Sequence, residues 1–277
     1  MLGETGQPGS KQGLLGQAGA RPGLLSQAWA TLTRHGPAAL LLATLVALWE
    51  FACRWFAIPH FVLPRPSQVA VALWQWREPL VLEHLPVTAA ETLLGLGISI
   101  ILGVALATAM HLSPTAGRAV YPLIVASQTI PIIALSPIFL FWFGYSMAQK
   151  VAVVVLVAFF PIAVAARDGL RAADPDLLDW MKASGASRWR VFRMAEAPAA
   201  LPSFFSGLKV GASVSVIGAV LGEWLGGQSG LGVFGRRAAS NLKSPELLAS
   251  VVLLALLGIG LFLAATLVER VALRYKK

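Results

Sequence analysis

The sequence predicts an all-α membrane protein with six transmembrane helices. Three observations carry that expectation. Only 13% of the 277 residues are charged, against about a quarter in soluble domains. Mean hydropathy is +0.72. Six apolar runs recur along the chain, at 38–58, 89–110, 120–143, 148–166, 204–224 and 247–268. Each approaches the roughly 20 helical residues needed to cross a hydrocarbon core about 30 Å thick.

Residues 1–36 precede the first run. They are rich in Gly, Gln, Ala and Ser and carry an imperfect echo, GLLGQA at 13–18 and GLLSQA at 23–28. They offer little to bury, so a mobile cytoplasmic tail is expected. No small-residue cleavage site follows the first run, which argues against a secretory signal peptide. The six-span domain then occupies 37–272, and 273–277 is a short basic end. Pro131 and Pro137 fall in the third run and Pro161 in the fourth. Each removes a helix hydrogen bond, a loss that neighbouring helices of a membrane bundle compensate.

Basic residues orient the chain. With the N-terminus inside, fourteen Lys and Arg fall in inner segments and six in outer loops. N-in, C-in is the expected topology, with the outer pair Arg236–Arg237 as the main dissent. The inner connection 167–203 contains DWMKASGASRWRVFRMAEAPAALP at 179–202, with Lys182, Arg188, Arg190 and Arg193. Met181, Gly185, Trp189 and Phe192 share one helical face. Asp174 before Pro175 reads as a helix start, and Gly185 favours two short helices over one. An amphipathic helix lying on anionic lipid and a surface for a soluble partner both fit this stretch.

Several function classes are disfavoured. The net charge of +9 sits beside apolar runs, which fits membrane topology and not nucleic acid. His35, His60, His84 and His111 show no ligand spacing and Cys53 stands alone, so no metal site is expected. No phosphate-binding G-x-x-x-x-G-K-[ST] loop occurs; GGQSGLG at 226–232 lacks the lysine and reads as a flexible or tightly turned loop. A membrane enzyme would show a nucleophile or acid–base cluster, and none stands out. An ATP-independent secondary transporter would want an intramembrane carboxylate relay, and only Glu50 lies well inside a run.

Polar residues in the runs mark candidate sites. Ser127, Gln128 and Thr129, followed by Pro131, should face a bundle interior or a cavity and are candidates for a translocation path. Ser213 and Ser215 lie among Gly207, Gly211, Gly218 and Gly222. That spacing admits close helix approach, at a subunit interface, along a path or in plain packing. Glu91 reads as interfacial and Lys209 as a lysine snorkelling to the inner surface. Glu223 and Trp224 end the fifth run on the outer side.

The segment 179–198 resembles the cytoplasmic EAA loop of bacterial ABC importer permeases. Asp179 stands at the Glu position, Gly185 at the Gly position and Pro198 at the Pro position, while Trp180, Met181, Ala195 and Ala197 depart from the pattern. FVLPRPSQV at 61–69, SQTIPIIALSPIFLFWFGY at 127–145 and GAVLGEWLGGQSGLG at 218–232 are similar to the sulfonate, nitrate, taurine and thiamine-precursor branch. The resemblance covers about 37–272. It implies a type I ABC importer permease in the bacterial inner membrane, working by alternating access. A second permease copy would complete the path as a homodimer, with two cytoplasmic ATPases beneath and a periplasmic or lipid-anchored substrate-binding protein outside. ATP and Mg would sit on the ATPases, and this chain would hold no cofactor. Asp179, Ser184, Gly185, Ala186, Arg188 and Pro198 would form the ATPase-coupling surface. Glu223 and Trp224 would serve an outer gate or touch the binding protein. SQTIPIIALSP, with Gln128 and its aromatic neighbours, looks most like the thiamine-precursor branch and implies a hydroxymethylpyrimidine-type substrate. Aliphatic sulfonate, taurine or nitrate is the alternative.

Overall fold

A computed structural model describes residues 24–274. The remainder of the expected tail, 1–23, and the last residues, 275–277, lie outside the described residues. The regular elements among the described residues are all helical. The chain divides into two compact units, Met1–Ala52 and Cys53–Lys277. The described part of the first unit, 24–52, lies within helix α1 (Leu24–Trp55), with Pro37 inside it. Helix therefore starts at Leu24, ahead of the first apolar run. LLSQAWATL is a run of good helix formers that propagates into the apolar segment.

The second unit opens with α2 (Pro66–Gln75), where Pro66 sits in the first turn and the Gln68 side chain accepts from the Arg65 amide at 3.0 Å. A π-helical stretch, Pro79–His84, runs into α3 (Leu85–Leu112). Then come α4 (Pro114–Thr129), a 3-10 turn (Ile132–Leu135), α5 (Ser136–Phe143) and α6 (Met147–Arg171). Next are α7 (Pro175–Ala183), α8 (Arg188–Val191), a π-helical turn (Phe192–Glu196) and α9 (Ala197–Gly226). The chain closes with α10 (Leu231–Ser240) and α11 (Ser244–Ala272). Both π stretches directly precede a proline in the next helix, Pro86 or Pro198. A proline lacks the amide and crowds the carbonyl four residues back, and a widened turn relieves both.

Among the described residues, four helical stretches are long and apolar enough to cross a membrane: Pro79–Leu112, Met147–Arg171, Arg188–Gly226 and Ser244–Ala272. The third expected run, 120–143, is not one helix. α4 stops at Thr129, and Ile130 takes extended backbone, φ −80 and ψ 122. Proline forces its predecessor out of the helical region, so Pro131 breaks the helix one residue ahead of itself.

The core is built on α6, which packs between α3 and α9. A Cβ on Gly95 or Gly103 of α3 would lie 2.4 Å from Val154 or 2.9 Å from Ile162 of α6. On α9, a Cβ on Gly207 would lie 2.6 Å from the Pro161 carbonyl, and one on Gly218 or Gly222 would lie 2.9 Å from the Cα of Val154 or Lys150. The small-residue stripe of α9 is therefore spent against α6 of the same chain. It is not free for a second subunit. Ala158, Ile162, Leu208 and Ala212 complete this interface. Separate clusters join α2, α10 and α11 through Ala72, Leu231 and Ala249, and α3, α4 and α6 through Met110, Ile124 and Phe159.

Gly222→Val should lower the thermal midpoint of the detergent-solubilised protein by several degrees, since overpacking typically costs about 1–3 kcal/mol. Gly97→Ala, where an added Cβ meets nothing within 4 Å, should leave that midpoint unchanged or raise it.

Candidate functional site

Three places hold chemistry-bearing groups. The first is the end of α9. Glu223 is fully buried. Its carboxylate accepts from Thr88 Oγ1 of α3 at 2.6 Å, from the Gly232 amide at 2.6 Å and from the Val233 amide at 3.1 Å. The Leu231 amide donates to Thr88 Oγ1 at 2.8 Å, and the Gly230 amide to His84 Nδ1 at 3.1 Å. Four successive amides at the start of α10 are thus satisfied by side chains, and a carboxylate meets the positive end of the helix. Gly230 has φ +124, and a Cβ there would lie 2.2 Å from the Glu223 carboxyl carbon. The glycines of GQSGLG admit the carboxylate; the segment is a capped helix start and not a loose loop. Trp224 Nε1 donates to the Gly232 carbonyl at 3.0 Å. Arg236 donates to the Trp224 carbonyl and Arg237 to the Gln228 carbonyl. The arginine pair that ran against the charge count therefore has a structural task.

Beside this cap, Lys150 Nζ of α6 lies 2.6 Å from Glu91 Oε1 of α3, both almost fully buried. Glu91 is buried against α6, and Lys150 is in α6 and not in a loop. Among the described residues, Glu91 Oε2 and the neighbouring Gln149 Oε1 have no hydrogen-bond partner. Sequence reading missed Thr88, His84, Glu91 and Lys150 as a group. The one available signal was a pair of opposite charges at the ends of two apolar runs.

The second place is the break after α4. Ser127 is half-buried, while Gln128, Thr129 and Pro131 are exposed. Gln128 Nε2 reaches the Leu156 carbonyl of α6 at 3.4 Å. Ser127 borders a largely apolar cavity of about 650 Å³ between α3, α4, α5 and α6, with Leu102, Leu123, Phe139 and Val155. Ser213 and Ser215 do not join them. Ser215 is fully buried and its hydroxyl donates to the Ala212 carbonyl. Ser213 faces an apolar groove of about 790 Å³ between α9 and α11, which Trp224 also lines. The two serines fall on different faces of α9, because two residues apart on a helix are about 200° apart. Lys209 is not snorkelling alone: its Nζ lies 2.8 Å from Glu269 Oε2 of α11.

The third place is the hairpin 172–196. Asp174 caps α7 by accepting from the Asp176 amide at 2.9 Å. α7 ends in a left-handed residue, Gly185 at φ +78, with Gly185 donating to Lys182 and Ala186 to Met181 carbonyls in a Schellman-type stop. The expected face through Met181, Gly185, Trp189 and Phe192 is therefore split over two helices. Asp179, Ser184, Gly185 and Arg188 are exposed, and Ala186 and Pro198 are half-buried. Asp179 pairs with Lys182 at 2.9 Å. Leu177, Trp180, Trp189 and Met194 expose apolar surface. The base of the hairpin is tied to α3, and just before it Arg167 of α6 meets α4. Arg188 donates to the Leu112 carbonyl, His111 Nε2 lies 2.9 Å from Glu196 Oε2, and the Arg167 guanidinium stacks 4.3 Å over Tyr121.

Residues 99–275 match the model of the binding-protein-dependent transport system inner membrane component family. The chain belongs to this family. It is a transport subunit of the inner membrane, an ABC permease. The formylaminopyrimidine transport permease protein ThiX of Halalkalibacterium halodurans is 42% identical over 238 residues, covering 86% of this chain and 95% of the relative. The riboflavin transport system permease protein RibX of Chloroflexus aurantiacus is 32% identical over 241 residues, 87% and 89% of the two chains. The taurine transport system permease protein TauC of Escherichia coli is 27% identical over 235 residues, 83% and 86%. A chain of the inward-facing MetNI methionine ABC transporter superposes with TM-score 0.61 at 18% identity, covering 76% of this chain and 99% of its own. The permease thus has the type I ABC importer fold.

The buried pair yields a test of the permease. Lys150→Met leaves the Glu91 carboxylate buried without its partner and should cost about 3–5 kcal/mol. Adding Glu91→Gln should recover much of that loss. Thermal unfolding of the two variants in detergent measures both effects.

Proposed function

We propose that this permease imports a neutral aminopyrimidine precursor of thiamine, driven by ATP hydrolysis on partner subunits. In this reading the chain runs N-in, C-in with six spans, and two copies enclose one path. Two ATPases carrying ATP and Mg dock beneath, and a periplasmic or lipid-anchored binding protein delivers the ligand. The chain itself holds no cofactor. The observation that carries the substrate reading is charge pairing. Lys150 and Lys209, the lysines of the apolar stretches, are each bound to a carboxylate, so neither presents a free cation to a sulfonate, taurine or nitrate. The 42% identity to a formylaminopyrimidine permease along nearly its whole length agrees.

The hairpin supports the docking role. Trp180 is 68% exposed and Trp189 65% exposed, beside Arg188, Arg190 and Arg193. Large apolar side chains ringed by charge suit insertion into a protein cleft, with the charges setting orientation. Asp179, Ser184, Gly185, Ala186 and Arg188 form the coupling surface, and Pro198 starts the helix that carries motion into the membrane. Glu223 acts indirectly, by holding α10 to α3 and α9, and Trp224 by clasping the first turn of α10.

Uptake by proteoliposomes carrying the full complex tests the substrate. Formylaminopyrimidine should accumulate on ATP addition and taurine should not; the reverse would refute the reading. Replacing both Trp180 and Met181 with alanine should reduce ATPase co-purification with the permease and slow uptake. Unchanged co-purification and uptake would remove these residues from the docking surface.

A further inference from the structure

The hairpin 172–196 reaches the membrane helices by two routes. One is the chain itself, which enters α9 through the π-helical turn Phe192–Glu196. The Ala197 amide donates to the Phe192 carbonyl, five residues back. Pro198, next in line, has no amide to donate. Helices bend at π turns and at prolines, and here the two coincide. Behind the turn lies a mainly apolar cavity of about 250 Å³ between α3, α6 and α9, lined by Ala107, Ala166, Leu170, Phe192, Ala200 and Phe204. The turn therefore has room on its inner side.

The second route is a side-chain clip to the last turn of α3. His111 Nε2 lies 2.9 Å from Glu196 Oε2, with the two side chains only 16% and 15% exposed. Such a pair is shielded from the solvent that weakens surface ion pairs. Arg188 donates to the Leu112 carbonyl, one of the last four of α3, which have no partner within their own helix. Arg188 opens α8, ahead of the π turn, and Glu196 is the last residue of the turn. The clip therefore spans the turn and fixes both sides of it to two successive residues of α3. α7 has no buried side chain, so a load applied there is borne by this base.

We propose that His111 and Glu196 are positioning residues for energy coupling: the π turn is the hinge of the hairpin, and the clip makes α3 follow when an ATPase moves it. The proposal rests on the importer reading above and adds the route from the docking surface into the membrane. α9 receives the motion through a bend. α3 receives it through a shielded contact and, by its close packing on α6 at Gly95 and Gly103, hands it to the block. Neither His111 nor Glu196 belongs to the coupling surface, so loss of either separates docking from transmission.

The test uses the complete complex of permease, ATPase and binding protein in nanodiscs. Cys53→Ser removes the sole native cysteine, and Ala109→Cys carries a spin label at an exposed position of α3. A non-hydrolysable ATP analogue with Mg should change the spectrum of the label. Glu196→Ala should keep ATPase co-purification and lose most of that change, and stimulation of hydrolysis by the loaded binding protein should fall several-fold. His111→Ala should do the same. The double variant should be no worse than either single one, because all three lose one shared contact. His111→Gln, which keeps an N–H donor, should retain more of the spectral change than His111→Ala; a general loosening of the fold would not be rescued in this way. A wild-type complex without ATPase sinks the importer reading and takes the inference with it. ATPase bound, but a label that ignores the nucleotide or still responds in Glu196→Ala, overturns the inference alone. Loss of ATPase co-purification in Glu196→Ala, or additive losses in the double variant, overturns it as well.

Discussion

The buried carboxylate of Glu223 is the constraint on which one end of the molecule depends. It stands at the last turn of α9 and draws in Thr88 of α3 and two amides of α10. An ionised or protonated carboxyl buried without partners would cost several kcal/mol. Here every oxygen has a donor, and the donors come from two other helices. α10 is short and amphipathic, and it would be marginal alone. Fixed at its start by Glu223, Thr88 and His84, it provides Leu231 for the cluster with α2 and α11. Glycine at 230 and 232 follows from the same contact, since a side chain at either position would overlap the carboxylate.

Next to that cap, the three-helix block of α3, α6 and α9 is close-packed through glycine. Its helices approach so nearly that glycine backbone meets α6 side chains at Gly95 and Gly103 and α6 backbone at Gly218 and Gly222. Such a block moves as a body. At its far end it carries the hairpin base, through Arg188 on Leu112 and Glu196 beside His111. The hairpin is thereby joined to α3 through Arg188 and Glu196, and it runs on into α9. α4 packs on α3 and α6 through Ile124 and is broken at Ile130.

Much of this was legible in the residues. The apolar runs located α3, α6, α9 and α11, because length and hydropathy are local properties. Gly185 and Asp174–Pro175 located the hairpin for the same reason: a left-handed stop and a capped start are decided within a few residues. The positions of polar residues in the third run were legible, but their setting was not. Hydropathy carries across 120–143, whereas Pro131 acts through the backbone of Ile130. Pairings were the least legible. Glu91 and Lys150 are 59 residues apart, and nothing in either run marks the partner. The glycines of α9 announced close approach without saying to what, and α6 bears no matching motif because its Val154, Ile162 and Pro161 carbonyl supply the other side. Arg236 and Arg237, which ran against the charge count, bind carbonyls, a task arginine takes as readily as marking a membrane face.

Taken together, the paired lysines and the exposed apolar hairpin support the proposed import of a neutral substrate. The most direct measurement is ATP hydrolysis by the complete complex in lipid nanodiscs with its binding protein. Hydrolysis should rise several-fold when the binding protein is loaded with formylaminopyrimidine, compared with the unloaded protein. It should not rise when taurine is supplied instead. Stimulation by taurine, or none by formylaminopyrimidine, would contradict the account.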